Sequence, residues 1–69
     1  MITKITARRE EMQRARIIKG WNYSKLGREA GVTGQTVGRI ERGENVSPGT
    51  AKKIADALGR PVAELFAIS

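Results

Sequence analysis

The 69-residue chain predicts an all-α fold, a compact five-helix domain. Three observations lead there. Apolar residues recur three and four apart, and no stretch alternates with period two well enough to be a strand. Residues that cap helix starts, Thr6, Asn22, Thr33 and Ser47, stand ahead of the periodic segments. Glycines at 20, 31, 43 and 59 follow those segments, where helices commonly end.

Thr6 is the expected cap of the first helix. Glu10 and Glu11 fall near its start, where the helix dipole favours acids. Met12, Ala15 and Ile18 mark its apolar stripe, with Lys19 ahead of the stop at Gly20. Residues 1–5 are expected to form a flexible N-terminal segment of a single domain over 1–69. Asn22 caps a short second helix with Leu26 and Ala30, closed by Gly31. Trp21, just before that cap, reads as a hydrophobic staple or core residue. Thr33 caps a third helix that runs to about Arg42 and stops at Gly43, followed by a loop, "GENV". Ser47-Pro48 is a capping hydroxyl followed by proline at the first helical position. Ala51, Ile54, Ala55 and Leu58 make the apolar face of helix four, and Gly59 ends it. Pro61 opens a short fifth helix carrying Val62, Leu65 and Phe66.

Charge and composition narrow the function. Thirteen basic and seven acidic residues give a net +6, which favours an anionic partner, nucleic acid first. The first 20 residues are the most basic. There Arg8, Arg9 and Arg14 either add non-specific attraction or form a solvated face. The chain has no cysteine and no histidine, so disulfides, Cys-based zinc sites and the usual general base are excluded. No phosphate-loop motif is present. An enzyme is not expected, nor is a metal or other cofactor. No apolar run approaches the ~20 residues of a membrane span, and no signal-peptide core is visible. The chain reads as soluble and intracellular, without a membrane partner.

The stretch "GVTGQTVGRIERG" (31–43) carries two glycines inside the third helix, each costing about 1 kcal/mol relative to alanine. On a helical wheel at about 100° per residue, Thr36, Val37 and Ile40 fall on the core side. Gly34, Gln35, Gly38, Arg39 and Arg42 fall opposite, with Glu41 on the flank. Bare positions would let this face approach another surface closely. Glutamine can make two bonds to an adenine edge, and arginine two to a guanine edge.

"NYSKLGREAGVTGQTVGRIERG" (22–43) followed by "TAKKIADALGRPVAELF" (50–66) resembles the phage-repressor-like, or Xre/Cro-like, helix-turn-helix family. The likeness spans almost the whole chain. It implies that helix three enters the DNA major groove while helix two crosses the backbone. Thr33, Gly34, Gln35, Gly38 and Arg39 are then the base-contacting candidates, with Gln35 and Arg39 the readers. Asn22, Tyr23, Lys25, Arg28, Thr36, Arg42 and Asn45 are the phosphate-contacting candidates. Arg16 and Glu41 match an arginine and a glutamate that tie helix one to helix three, a structural ion pair. The chain departs from the pattern at Gly34, where relatives often carry a longer side chain. It departs again at Tyr23, where they commonly have glutamine, and at Trp21, where they usually have leucine. The loop after Gly43 is one residue shorter than the commonest form.

The resemblance implies a sequence-specific double-stranded DNA-binding regulator, a repressor binding a palindromic operator as a homodimer. Its expected location is cytoplasmic, in a bacterial or phage-encoded, nucleoid-associated setting. Candidate dimer surfaces are the tail (Phe66, Ala67, Ile68), Ile17, and the N-terminal Ile2 and Ile5. No ligand domain accompanies the module, so no small-molecule ligand is expected. The competing reading is a protein-interaction module of the same fold, such as an antitoxin or adaptor.

Overall fold

The computed structural model describes residues 4–69. They fold as β1(Ile5–Ala7), α1(Arg9–Ile18), α2(Tyr23–Ala30), α3(Gly34–Glu41), α4(Pro48–Leu58), α5(Val62–Leu65) and β2(Phe66–Ile68). The architecture is helical, with five helices around one core and a minor two-stranded sheet. Met12, Leu26, Val37, Ile54, Leu65 and Phe66 are fully buried and come from five different elements besides α5.

Local chemistry sets most helix boundaries. Asn22 Oδ1 accepts from Lys25 N at 2.9 Å, and Thr33 Oγ1 accepts from Thr36 N at 3.1 Å. Ser47 Oγ accepts from Thr50 N at 3.3 Å, with Pro48 next in line. Each bond satisfies an amide that the helix itself leaves without a partner. At the other end, Gly31 (φ +78°) takes the left-handed conformation that stops α2 and turns the chain toward α3.

The sheet corrects the expectation of no strand. β1 and β2 pair antiparallel, with Ile5 opposite Ile68, Thr6 opposite Ala67 and Ala7 opposite Phe66. Lys4 and Ser69 exchange both backbone bonds at 2.9 Å, and Arg8 N donates to Leu65 O at 2.8 Å. Three-residue strands are too short to show a period. Thr6 therefore lies in a strand and caps nothing. The cap position of α1 is Arg8, which makes no side-chain capping bond. Within the 1–5 segment, Lys4 and Ile5 are hydrogen-bonded to Ser69 and to the α3–α4 loop. Ile2 lies outside the described residues.

Three further assignments change. Phe66 is 1% exposed: it leaves α5 in extended conformation (φ −131°, ψ 142°) and fills the core, so it belongs to no open dimer surface. Ile5 is buried as well. Ile18 is 68% exposed and leaves the stripe of α1. The inward face of α1 runs instead through Met12, Ala15 and the half-buried Arg16, whose guanidinium reaches across to α3. Ile17 (58%) and Ile68 (56%) are open, and Ala67 is half-buried.

The other edge of β1 matters for the site. Ile5 N donates to Asn45 Oδ1 and Val46 N donates to Ile5 O, both at 2.9 Å. The strand thus anchors the α3–α4 loop from beneath, and Val46 turns into the core, 8% exposed.

Candidate nucleic-acid interface

α2 and α3 pack closely through their glycines. A Cβ on Gly27 would stand 2.6 Å from Val32 O, 2.8 Å from Thr33 C and 2.9 Å from Gly34 N, backbone of the α2–α3 turn and of the first residue of α3. One on Gly34 would meet the backbone of Ser24 at 3.0 Å. One on Gly38 would meet the Tyr23 ring at 3.3 Å. These glycines therefore let α2 and its turn lie against α3.

That finding corrects the wheel. Gly34 is half-buried and Gly38 buried, so neither is a bare position on an open outward face. Glu41, expected on the flank, is 3% exposed. The inward arc of α3 runs through Ile40, Val37, Glu41, Gly34 and Gly38. The outward arc is narrower: Gln35, Arg39 and Arg42, with half-buried Thr36 at its margin.

Glu41 is buried in company. Its Oε2 accepts from Arg16 Nε at 2.7 Å and its Oε1 from Arg16 Nη2 at 3.4 Å. Arg16 Nη1 donates to Trp21 O at 2.8 Å, and the guanidinium carbon lies 4.7 Å from the Tyr23 ring centroid. One arginine thus joins α1, the α1–α2 link, the start of α2 and the end of α3. With side-chain exposures of 11% and 4%, the two charges have little water and compensate each other. Trp21 packs half-buried against the core, with Lys19 Nζ 5.2 Å from its ring.

The remaining charges are unevenly matched. Lys25 pairs with Glu29 at 3.0 Å, Lys52 with Asp56 at 2.9 Å and Arg60 with Glu64 at 3.2 Å. Arg28, Arg39 and Arg42 are exposed and have no carboxylate partner among the described residues. Arg39 and Arg42 sit at the C-terminal end of α3, where the dipole favours cations. Lys25 stands beside an acid, so its pull on an anion is reduced.

The other candidates divide between two places. Asn22 and Tyr23 lie at the N-terminus of α2, and Tyr23 is 38% exposed. Thr36, Arg39 and Asn45 line a recess of about 210 Å³ between α3 and the following loop. Thr33 and Thr36 share a hydroxyl–hydroxyl bond of 2.8 Å beside it. Asn45 already accepts from Ile5 with its carbonyl, which leaves its amide protons for another partner. Ser47 and Thr50 also line the recess, as does Glu44, whose carboxylate opposes an anion there. The sequence marks Ser47 and Thr50 only as the start of α4; a hydroxyl following an asparagine after the third helix was the available signal.

The geometry is two short helices, a glycine turn of fixed hand, and a second helix whose outward arc is one amide and two guanidiniums. A helix-turn-helix family model matches residues 12–65.

The chain belongs to the helix-turn-helix family.

Within it the likeness is to the phage-repressor-like, Xre/Cro-like kind, a family of DNA-binding regulators. No curated protein and no solved structure matches the chain. The helix-turn-helix unit is α2, Gly31–Thr33 and α3, and the matched span also takes in α1 from Met12, α4 and α5. Among the described residues no helix is long and apolar enough to cross a membrane, and no group of metal-ligating side chains assembles.

Proposed function

We propose that the protein is a sequence-specific double-stranded DNA-binding transcriptional repressor that docks α3 in the major groove. The observation that carries this is the outward arc of α3: Gln35, Arg39 and Arg42 are exposed, have no side-chain partner among the described residues, and stand on a helix whose opposite side is buried through Val37, Ile40 and Glu41. In this reading Gln35 and Arg39 read base edges, with Thr33 at the helix start. Phosphates are held by Asn22, Tyr23, Lys25 and Arg42 on one flank and by Thr36 and Asn45 on the other, with Arg28 adding charge. With only two long readers, water and DNA shape carry part of the specificity.

A homodimer on a palindromic operator, with half-sites about 34 Å apart, supplies the affinity that one small module lacks. Ile17 and Ile68, the open apolar side chains on its candidate surfaces, are the contacts we assign to it. Such a protein works in the cytoplasm on the nucleoid, in a bacterial or phage-encoded setting.

Selection from a random duplex pool, followed by binding of Gln35→Ala and Arg39→Ala, tests the proposal. Each substitution should cost about 1–3 kcal/mol on the selected site and relax the preference at particular base pairs. Equal loss on all sequences would mean these side chains touch only the backbone. Binding that is insensitive to salt, with a protein partner recovered instead, would favour an interaction module of the same fold.

A further inference from the structure

The buried Gly38 raises a question that helix packing alone does not answer. A methyl group there would stand 3.3 Å from Tyr23 Cδ2 and Cε2, and also 3.4 Å from Arg42 Nη1. The ring comes from the first residue of α2 and the guanidinium from the residue that caps α3. A methyl there would crowd the ring by a few tenths of an ångström and touch the guanidinium.

The two neighbours differ in how firmly they are held. Tyr23 is backed by Arg16, 4.7 Å from its ring centroid, and Arg16 is itself fixed by Glu41 and the Trp21 carbonyl. Arg42 is exposed and has no carboxylate partner among the described residues. A tyrosine ring backed by Arg16 and an exposed guanidinium therefore flank the same position on α3.

We propose that Tyr23 and Arg42 grip one DNA phosphate together, and that residue 38 is bare so that they can meet. The inference rests on the DNA-binding reading above and adds a shared contact to it. The tyrosine hydroxyl donates one bond to a phosphate oxygen, and the guanidinium donates to the same phosphate while neutralising it. Because Arg16 already holds the ring, little of its freedom remains to be lost on binding. Gly38 is a positioning residue: it touches no DNA and acts through the two donors.

The test is a double-mutant cycle on the duplex selected for the parent protein, with Tyr23→Phe and Arg42→Gln, plus Gly38→Ala alone and on the double variant. Tyr23→Phe keeps the ring and removes the hydroxyl, and should weaken binding about threefold to tenfold with the salt slope unchanged. Arg42→Gln should lower the slope of log affinity against log salt by about 0.9, the value for one phosphate. If the two share a phosphate, the double variant loses clearly less than the product of the single losses. Gly38→Ala should melt no lower than the parent, since alanine favours the helix, yet bind about tenfold more weakly. On the double variant it should cost nothing further.

Multiplicative losses in the cycle, or parental binding by a folded Gly38→Ala, would overturn the shared grip while leaving DNA binding intact. If Gly38→Ala melts lower, the cycle decides by itself, because it leaves Gly38 untouched. A parent protein with no salt-dependent duplex affinity would instead remove the reading beneath both.

Discussion

Gly27→Ala is a sharp test of how the helix-turn-helix is held. By local preference the change should help, because alanine gains about 1 kcal/mol over glycine inside a helix. The tertiary contacts oppose it. The added Cβ would stand 2.6, 2.8 and 2.9 Å from three backbone atoms of Val32, Thr33 and Gly34. None of these is a flexible side-chain end, so the turn itself must move. Val32 N also donates to Gly27 O at 2.8 Å, which pins the same two segments together. Overpacking of this kind costs about 1–3 kcal/mol or more, and three backbone contacts place it at the upper end. The net is a loss of about 2 kcal/mol. A 69-residue domain shifts its Tm by about 4–8 °C per kcal/mol, so the variant should melt about 10 °C lower. Gly49→Ala is the control, since a Cβ there meets nothing within 4 Å. It should hold or raise Tm, by up to about 1 kcal/mol. Calorimetric or circular-dichroism melts of both variants give the comparison. If Gly27→Ala melts at or above Gly49→Ala, the close approach of α2 to its turn does not govern that glycine.

Other expectations follow from burial. Arg16→Ala leaves Glu41 without its partner at 4% side-chain exposure, and should cost about 3–5 kcal/mol in urea unfolding; a parental midpoint would show that the pair is dispensable. Phe66→Ala should cost about 3–5 kcal/mol at any protein concentration, as a core truncation does. A loss that appears only on dilution would return Phe66 to an interface. Ile17→Lys and Ile68→Lys should leave the melt within about 0.5 kcal/mol of the parent. In the proposed dimer they lower the mass seen by sedimentation, and an unchanged mass would exclude that surface.

The candidate site was legible in the sequence only in outline. Gln35, Arg39 and Arg42 fall on the outward arc by helical spacing alone, and that arc remains in the folded chain. The glycines beside them do not, because a wheel orders residues around an axis without saying what lies on each side. α2 occupies the side that composition would assign to solvent. Asn45 is a similar case: its exposure fits a contact, yet its carbonyl is engaged by a strand 40 residues away.

The starts of α2, α3 and α4 and the stops of α2 and α4 were set by the sequence itself. A capping hydroxyl or amide acts on a backbone amide three residues on, and a left-handed glycine acts on the turn just before it, so both signals are local. Tertiary structure alone decided that Thr6 joins a strand, that Phe66 turns inward, and that Gly34 and Gly38 seat a neighbouring helix. Each of those outcomes depends on a partner distant along the chain. The energy of such a contact belongs to the pair, and no window around one member contains it.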